Sequence, residues 1–144
     1  MRSIVSLLAG SIVCGGLPSI AIAEPLAPAL FQQLLATAKA YAADRTLNFY
    51  CIRDEPGMLP FSYHIIHSET EAALKKLKAA GSSARQNAEL VEAVVANVRY
   101  PTTGASDAAM DAECKSKNVK ENHFTFSGPM AMPLEGRPPF NTLK

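Results

Sequence analysis

The sequence predicts a mostly α-helical protein: a small bundle of about four helices with an extended Pro-rich C-terminal arm and one disulfide. Three observations carry this. Apolar residues recur at helical spacing between clear start and stop signals, two cysteines remain after an N-terminal export signal, and prolines crowd the last part of the chain.

Residues 1–23 read as that signal. Arg2 gives a short basic start and Ile4 to Val13 an apolar run too short to span a bilayer. Gly15, Gly16 and Pro18 break it, and Ala21-Ile22-Ala23 supplies the small residues signal peptidase requires, so cleavage is expected before Glu24. A lipoprotein reading through Cys14 is disfavoured by Val13, where something small is needed. Residues 24–144 then form a single helical domain, with 121–144 an arm packed on it.

The first helix opens at Pro25 and Pro28, tolerated where a first-turn N–H has no partner. Leu26, Leu30, Leu34, Ala38 and Ala42 follow at four-residue spacing, widened by Phe31 and Leu35. Ala42, Phe49 and Ile52 extend this face, so the helix is expected to reach about Arg53, although Thr46 to Ile52 would also suit a strand.

Pro60 and Gly81 bound the second helix, whose Lys75, Lys76 and Lys78 meet the negative end of its dipole. Ser68 with Glu71 offers an alternative start at Glu69. Ser83 and Gln86 form a capping box before the third helix, where Ala88, Val91, Val95 and Val98 mark the expected buried face and Leu90 and Val94 broaden it, until Tyr100-Pro101 stops it. Ser106 is the expected cap of a short fourth helix carrying Met110 and Cys114. From Glu121 the pattern becomes extended: Phe124 and Phe126 alternate as in a strand, and Pro129, Pro133, Pro138 and Pro139 prevent regular helix.

With Cys14 removed, Cys51 and Cys114 are the expected disulfide, closing a loop that contributes about 4 kcal/mol on the chain-entropy model. The chain has 14 basic and 13 acidic residues, and Arg2 leaves with the signal. A neutral remainder gives no reason to expect nucleic-acid binding, and no later segment is apolar enough for membrane insertion.

His64, His67 and Glu71, at i, i+3 and i+7, are the candidate metal ligands, since one helix face presents all three to a zinc or other divalent ion, with His123 or Glu135 as a fourth. The preferred reading is a solvated polar face. Met130 and Met132, with His123 and Met58, form a second candidate set, suited to a cuprous ion, against which stands simple gap-filling by methionine. Arg137 and Phe140, on a stiff Pro-rich backbone, are the candidate partner-binding pair, and Phe140 plugging the helical core is the favoured alternative.

No nucleophile elbow, phosphate loop or free cysteine is present, so no catalytic residue is assigned and no cofactor beyond a metal ion is implied. The expectation is a small exported cell-envelope protein, periplasmic or secreted, that works non-catalytically by binding another protein, as an inhibitor, immunity or accessory factor. A periplasmic copper- or zinc-binding protein is the alternative.

Overall fold

Helix α1, Pro28–Cys51, begins with Pro28 in its first turn and runs about 36 Å at 1.5 Å per residue. The computed structural model describes residues 26–124 and 132–144, so the expected signal peptide lies outside the described residues, as do Phe126 and Met130. Along α1, Phe31, Leu34, Ala38, Tyr41 and Ala42 are buried as the spacing predicts. Its last turns differ: Leu47, Asn48, Phe49 and Tyr50 are buried in succession, because that end is enclosed all round. This is why Thr46 to Ile52 looks strand-like in sequence and is helical in the fold. The helix ends at Cys51, two residues before Arg53.

Helix α2, Met58–Ala79, starts after Gly57, whose φ of 75° suits a residue without Cβ, and holds Pro60 in its first turn. It therefore continues through the alternative start at Glu69. At its far end Gly81 is left-handed; its N–H donates to the Lys78 carbonyl and that of Ser82 to the Leu77 carbonyl, the paired bonds of a Schellman motif. Helix α3, Ala84–Val95, has the capping box: the Gln86 N–H donates to Ser83 Oγ, and the Ser83 N–H to Gln86 Oε1. It ends before Tyr100-Pro101. Its buried residues are Leu90, Ala93 and Val94, and Val98 just beyond it is buried as expected, whereas Ala88 and Val95 are exposed, so the core face is rotated toward the Leu90–Val94 side of the expected one.

Helix α4, Ala108–Ser116, is capped by Asp107 rather than Ser106, the Asp107 carboxylate accepting from the Ala109 and Met110 N–H groups. Asn118, at φ 48°, turns the chain into helix α5, Val119–Phe124. Glu121 to Phe124 are thus helical, a correction to the extended arm expected from Glu121: Val119 and His123, one turn apart, are both buried, and helical spacing is what puts them on one inward face.

Residues 132–144 of the arm do lie over the helices. Leu134 and Phe140 are fully buried, and two 3-10 turns, Leu134–Gly136 and Phe140–Thr142, break its extended course. Lys76 Nζ donates to the Glu135 carbonyl and Thr37 Oγ1 to the Pro138 carbonyl, each at 3.0 Å.

One hydrophobic core joins α1, α2, α3 and this strap through Leu34, Phe49, Ile66, Leu77, Leu90, Val94, Leu134 and Phe140. The Cys51–Cys114 disulfide is formed, with Cα atoms 5.6 Å apart, and fixes α4 to the end of α1. The fold is small and all-α. Among the described residues no helix is long and apolar enough to cross a membrane.

Candidate functional site

The rotation of α3 has a consequence at the surface. Its Val91 and Val95 face α2 across a groove of about 380 Å³, together with Tyr63, Ile66, His67, Thr70, Glu71 and Leu74 of α2 and with Tyr100. Val95 is 62% exposed and Tyr63 56%, unusual for large apolar side chains grouped around one depression. Ile66, on the core side of α2, closes the floor. The volume sits near the lower end of the roughly 300–1,000 Å³ typical of ligand clefts, enough for one or two inserted side chains.

Phe49, Tyr100 and Tyr63 form one aromatic wall. The Phe49 and Tyr100 rings are stacked at 5.6 Å and those of Tyr100 and Tyr63 at 4.0 Å. Burial, with the neighbouring Tyr63 hydroxyl, raises the pKa of Tyr100, so its phenol stays neutral. Among the groove's polar groups, Thr70 Oγ1 is buried and has no hydrogen-bond partner. An orphaned buried hydroxyl costs about 1–3 kcal/mol, and a ligand's polar group would relieve it.

His64, His67 and Glu71 are all exposed on α2, but His67 and Glu71 line the groove and His64 does not. Among the described residues no three His, Cys, Asp or Glu side chains come close enough to hold a metal ion. Spacing along one helix gives a shared face without convergence. Met132 is exposed, Met58 packs against the core, and Met130 lies outside the described residues.

Arg137 and Phe140 are turned inward. Phe140 is in the core, and the Arg137 guanidinium pairs with Asp44 at 2.6 Å, donates to the Met132 carbonyl and lies over the Tyr41 ring. These contacts hold residues 132–144 against α1.

A buried ionic cluster went unread in the sequence. Arg45 grips Glu69 with two guanidinium nitrogens, at 2.7 and 3.1 Å, and the Tyr41 hydroxyl donates to the same carboxylate. Burial, then the Glu69 charge, pushes the Tyr41 pKa strongly up, so this phenol remains a proton donor and ties α1 to α2. His123 is buried on α5, with its pKa lowered by desolvation and by the Arg45 charge.

The groove itself left one trace in the sequence. Val91 and Val95 beside Leu90 and Val94 make an apolar surface on α3 wider than a single packing face needs, and the surplus is what the groove displays. No family model matches this chain, and no curated protein or solved structure shows significant similarity to it.

Proposed function

We propose that this chain is a non-catalytic binding protein of the cell envelope or the extracellular medium, and that its partner protein docks on the groove between α2 and α3. The observation that carries the reading is the exposed apolar lining of that groove, with Tyr63 and Val95 at its rim. Apolar side chains gathered at a depression contribute affinity when a partner covers them, at about 25 cal/mol per Å² of apolar area before the entropic cost of association. Export is supported by the signal-like first 23 residues and by the Cys51–Cys114 bridge, which belongs to compartments that oxidise thiols.

The test is site-specific photocrosslinking in the cells that produce the protein. A photoreactive residue at Val95 or Tyr63 is expected to trap the same protein, and one at Lys39, exposed on α1 away from the groove, is expected to trap nothing. Equal yields from all three positions, or none, would discard the docking site. Intact mass of the same material tests export: a chain beginning at Glu24 and two hydrogens light is expected.

A further inference from the structure

The lining of the groove restricts what can fill it. Phe49 is fully buried and Tyr63 more than half exposed, so the Phe49–Tyr100–Tyr63 column runs from core to surface and ends on a ring with one side uncovered. Another aromatic ring is the group that extends such a column best, since offset stacking adds to the gain from burial alone. At the floor, Thr70 Oγ1 is buried without a partner. Leucine or phenylalanine would leave it so, whereas a phenol or an indole N–H satisfies it.

At the rim stands the Glu71 carboxylate, exposed and in no ion pair among the described residues. It favours a cation on the arriving surface and disfavours an anion. Tyrosine, tryptophan and arginine are also the residues most often found at the energetic centre of protein interfaces.

Resting on the docking site above, we infer that the occupant is a tyrosine or tryptophan side chain of a partner protein, flanked by a lysine or arginine that meets Glu71. The ring stacks beyond Tyr63, its polar atom reaches Thr70, and Val91 and Val95 close over its edge.

This chain contains no tryptophan, so the fluorescence of a tryptophan peptide reports binding without background. The probes are three capped tetrapeptides, Gly-Trp-Lys-Gly, Gly-Trp-Glu-Gly and Gly-Leu-Lys-Gly, the last used as an unlabelled competitor. The Trp-Lys peptide is expected to bind with a blue-shifted emission and about tenfold tighter than Trp-Glu, with Leu-Lys competing poorly. Glu71→Gln should erase the preference for Lys over Glu, and Thr70→Val, which keeps the side-chain volume, should weaken both tryptophan peptides several-fold. Circular dichroism of each variant confirms that it is folded.

No saturable binding up to about 10 mM, where a contact is too weak to matter, would overturn the assignment, as would equal affinity for all three peptides. Self-association in sedimentation that Val95→Lys abolishes would also overturn it, by showing that a second copy fills the groove. If crosslinks from Val95 persist while the peptides fail, the docking site stands and only this choice of occupant falls.

Discussion

Helices α3 and α4 are of similar length, 12 and 9 residues, and each begins at a side-chain cap, yet different forces hold them in place. α3 buries Leu90, Ala93 and Val94 against α1 and α2. α4 buries no side chain fully. It is fixed instead by Cys114 and by a polar junction, in which Arg53 Nη2 donates to Asp111 at 3.0 Å and Arg53 Nε to the Ala105 carbonyl at 2.7 Å. The Asp107 N–H donates to the Tyr50 hydroxyl, and the Arg53 guanidinium lies 3.9 Å over the Tyr50 ring. Burial is non-directional and tolerates small shifts, whereas a bridge and charged hydrogen bonds specify one geometry and depend on conditions. The first kind of attachment persists in a reducing solution; the second loses its covalent part there and keeps only its polar contacts.

Breaking the covalent tie is therefore expected to have the largest effect. Replacing both Cys51 and Cys114 with serine should lower unfolding free energy by about 4 kcal/mol, the chain-entropy value for cysteines 63 residues apart. In hydrogen exchange, α4 amides should lose protection first while those of α1 to α3 keep theirs. Uniform loss of protection would mean that the two regions are not separable. On the other side of the comparison, Leu90→Ala empties a fully buried site and should cost about 3 kcal/mol, with unfolding then cooperative across α1, α2 and α3. Denaturant titration of both variants, with and without reductant, checks the pair: only Leu90→Ala should retain a reductant-sensitive midpoint.

The same division explains what could be read in the sequence. Caps, breakers and cysteines act locally or by count, so Ser83-Gln86, Pro28, Gly81 and the Cys51–Cys114 pair are legible. Faces are not, because which side of a helix is buried depends on its neighbours. Val95 and Leu90 are both apolar, and only the side that α3 turns toward its neighbours leaves one in solvent and the other in the core. The groove depends on that rotation. The ionic cluster was hidden for a related reason: Tyr41, Arg45 and Glu69 look like ordinary helix-surface residues until two helices bring their charges together. His64, His67 and Glu71 show the converse, a regular spacing without convergence.

Between the two regimes lies α5, anchored by buried Val119 but carrying a buried titratable group, His123. Desolvation and the Arg45 charge lower its folded-state pKa below the ordinary value of 6.5. The unfolded chain accordingly takes up the proton first on acidification. The contribution of neutral His123 is complete above about pH 6.5 and is lost as the pH falls below it, by no more than about 1.4 kcal/mol per pH unit. His123→Asn should flatten the stability profile between pH 6.5 and 5, a range set by the unperturbed pKa. Denaturant midpoints measured across that range would show it, and an unchanged slope would mean that His123 does not titrate with unfolding.

The smallest effect should come from the position that neither regime uses. Val95 sits one residue from buried Val94 and five from Leu90, on a helix whose packing is sensitive at both. If its apolar character served the core, a charge there would be as damaging as a cavity. With 62% of its surface in solvent, Val95→Lys should change stability by under about 0.5 kcal/mol, because the ammonium stays hydrated and no packed neighbour is lost. Thermal melts of this variant beside Leu90→Ala compare two faces of one helix. Near-equal losses would make Val95 part of the core, whereas a stable Val95→Lys protein that no longer crosslinks from Tyr63 would separate binding from folding on α3.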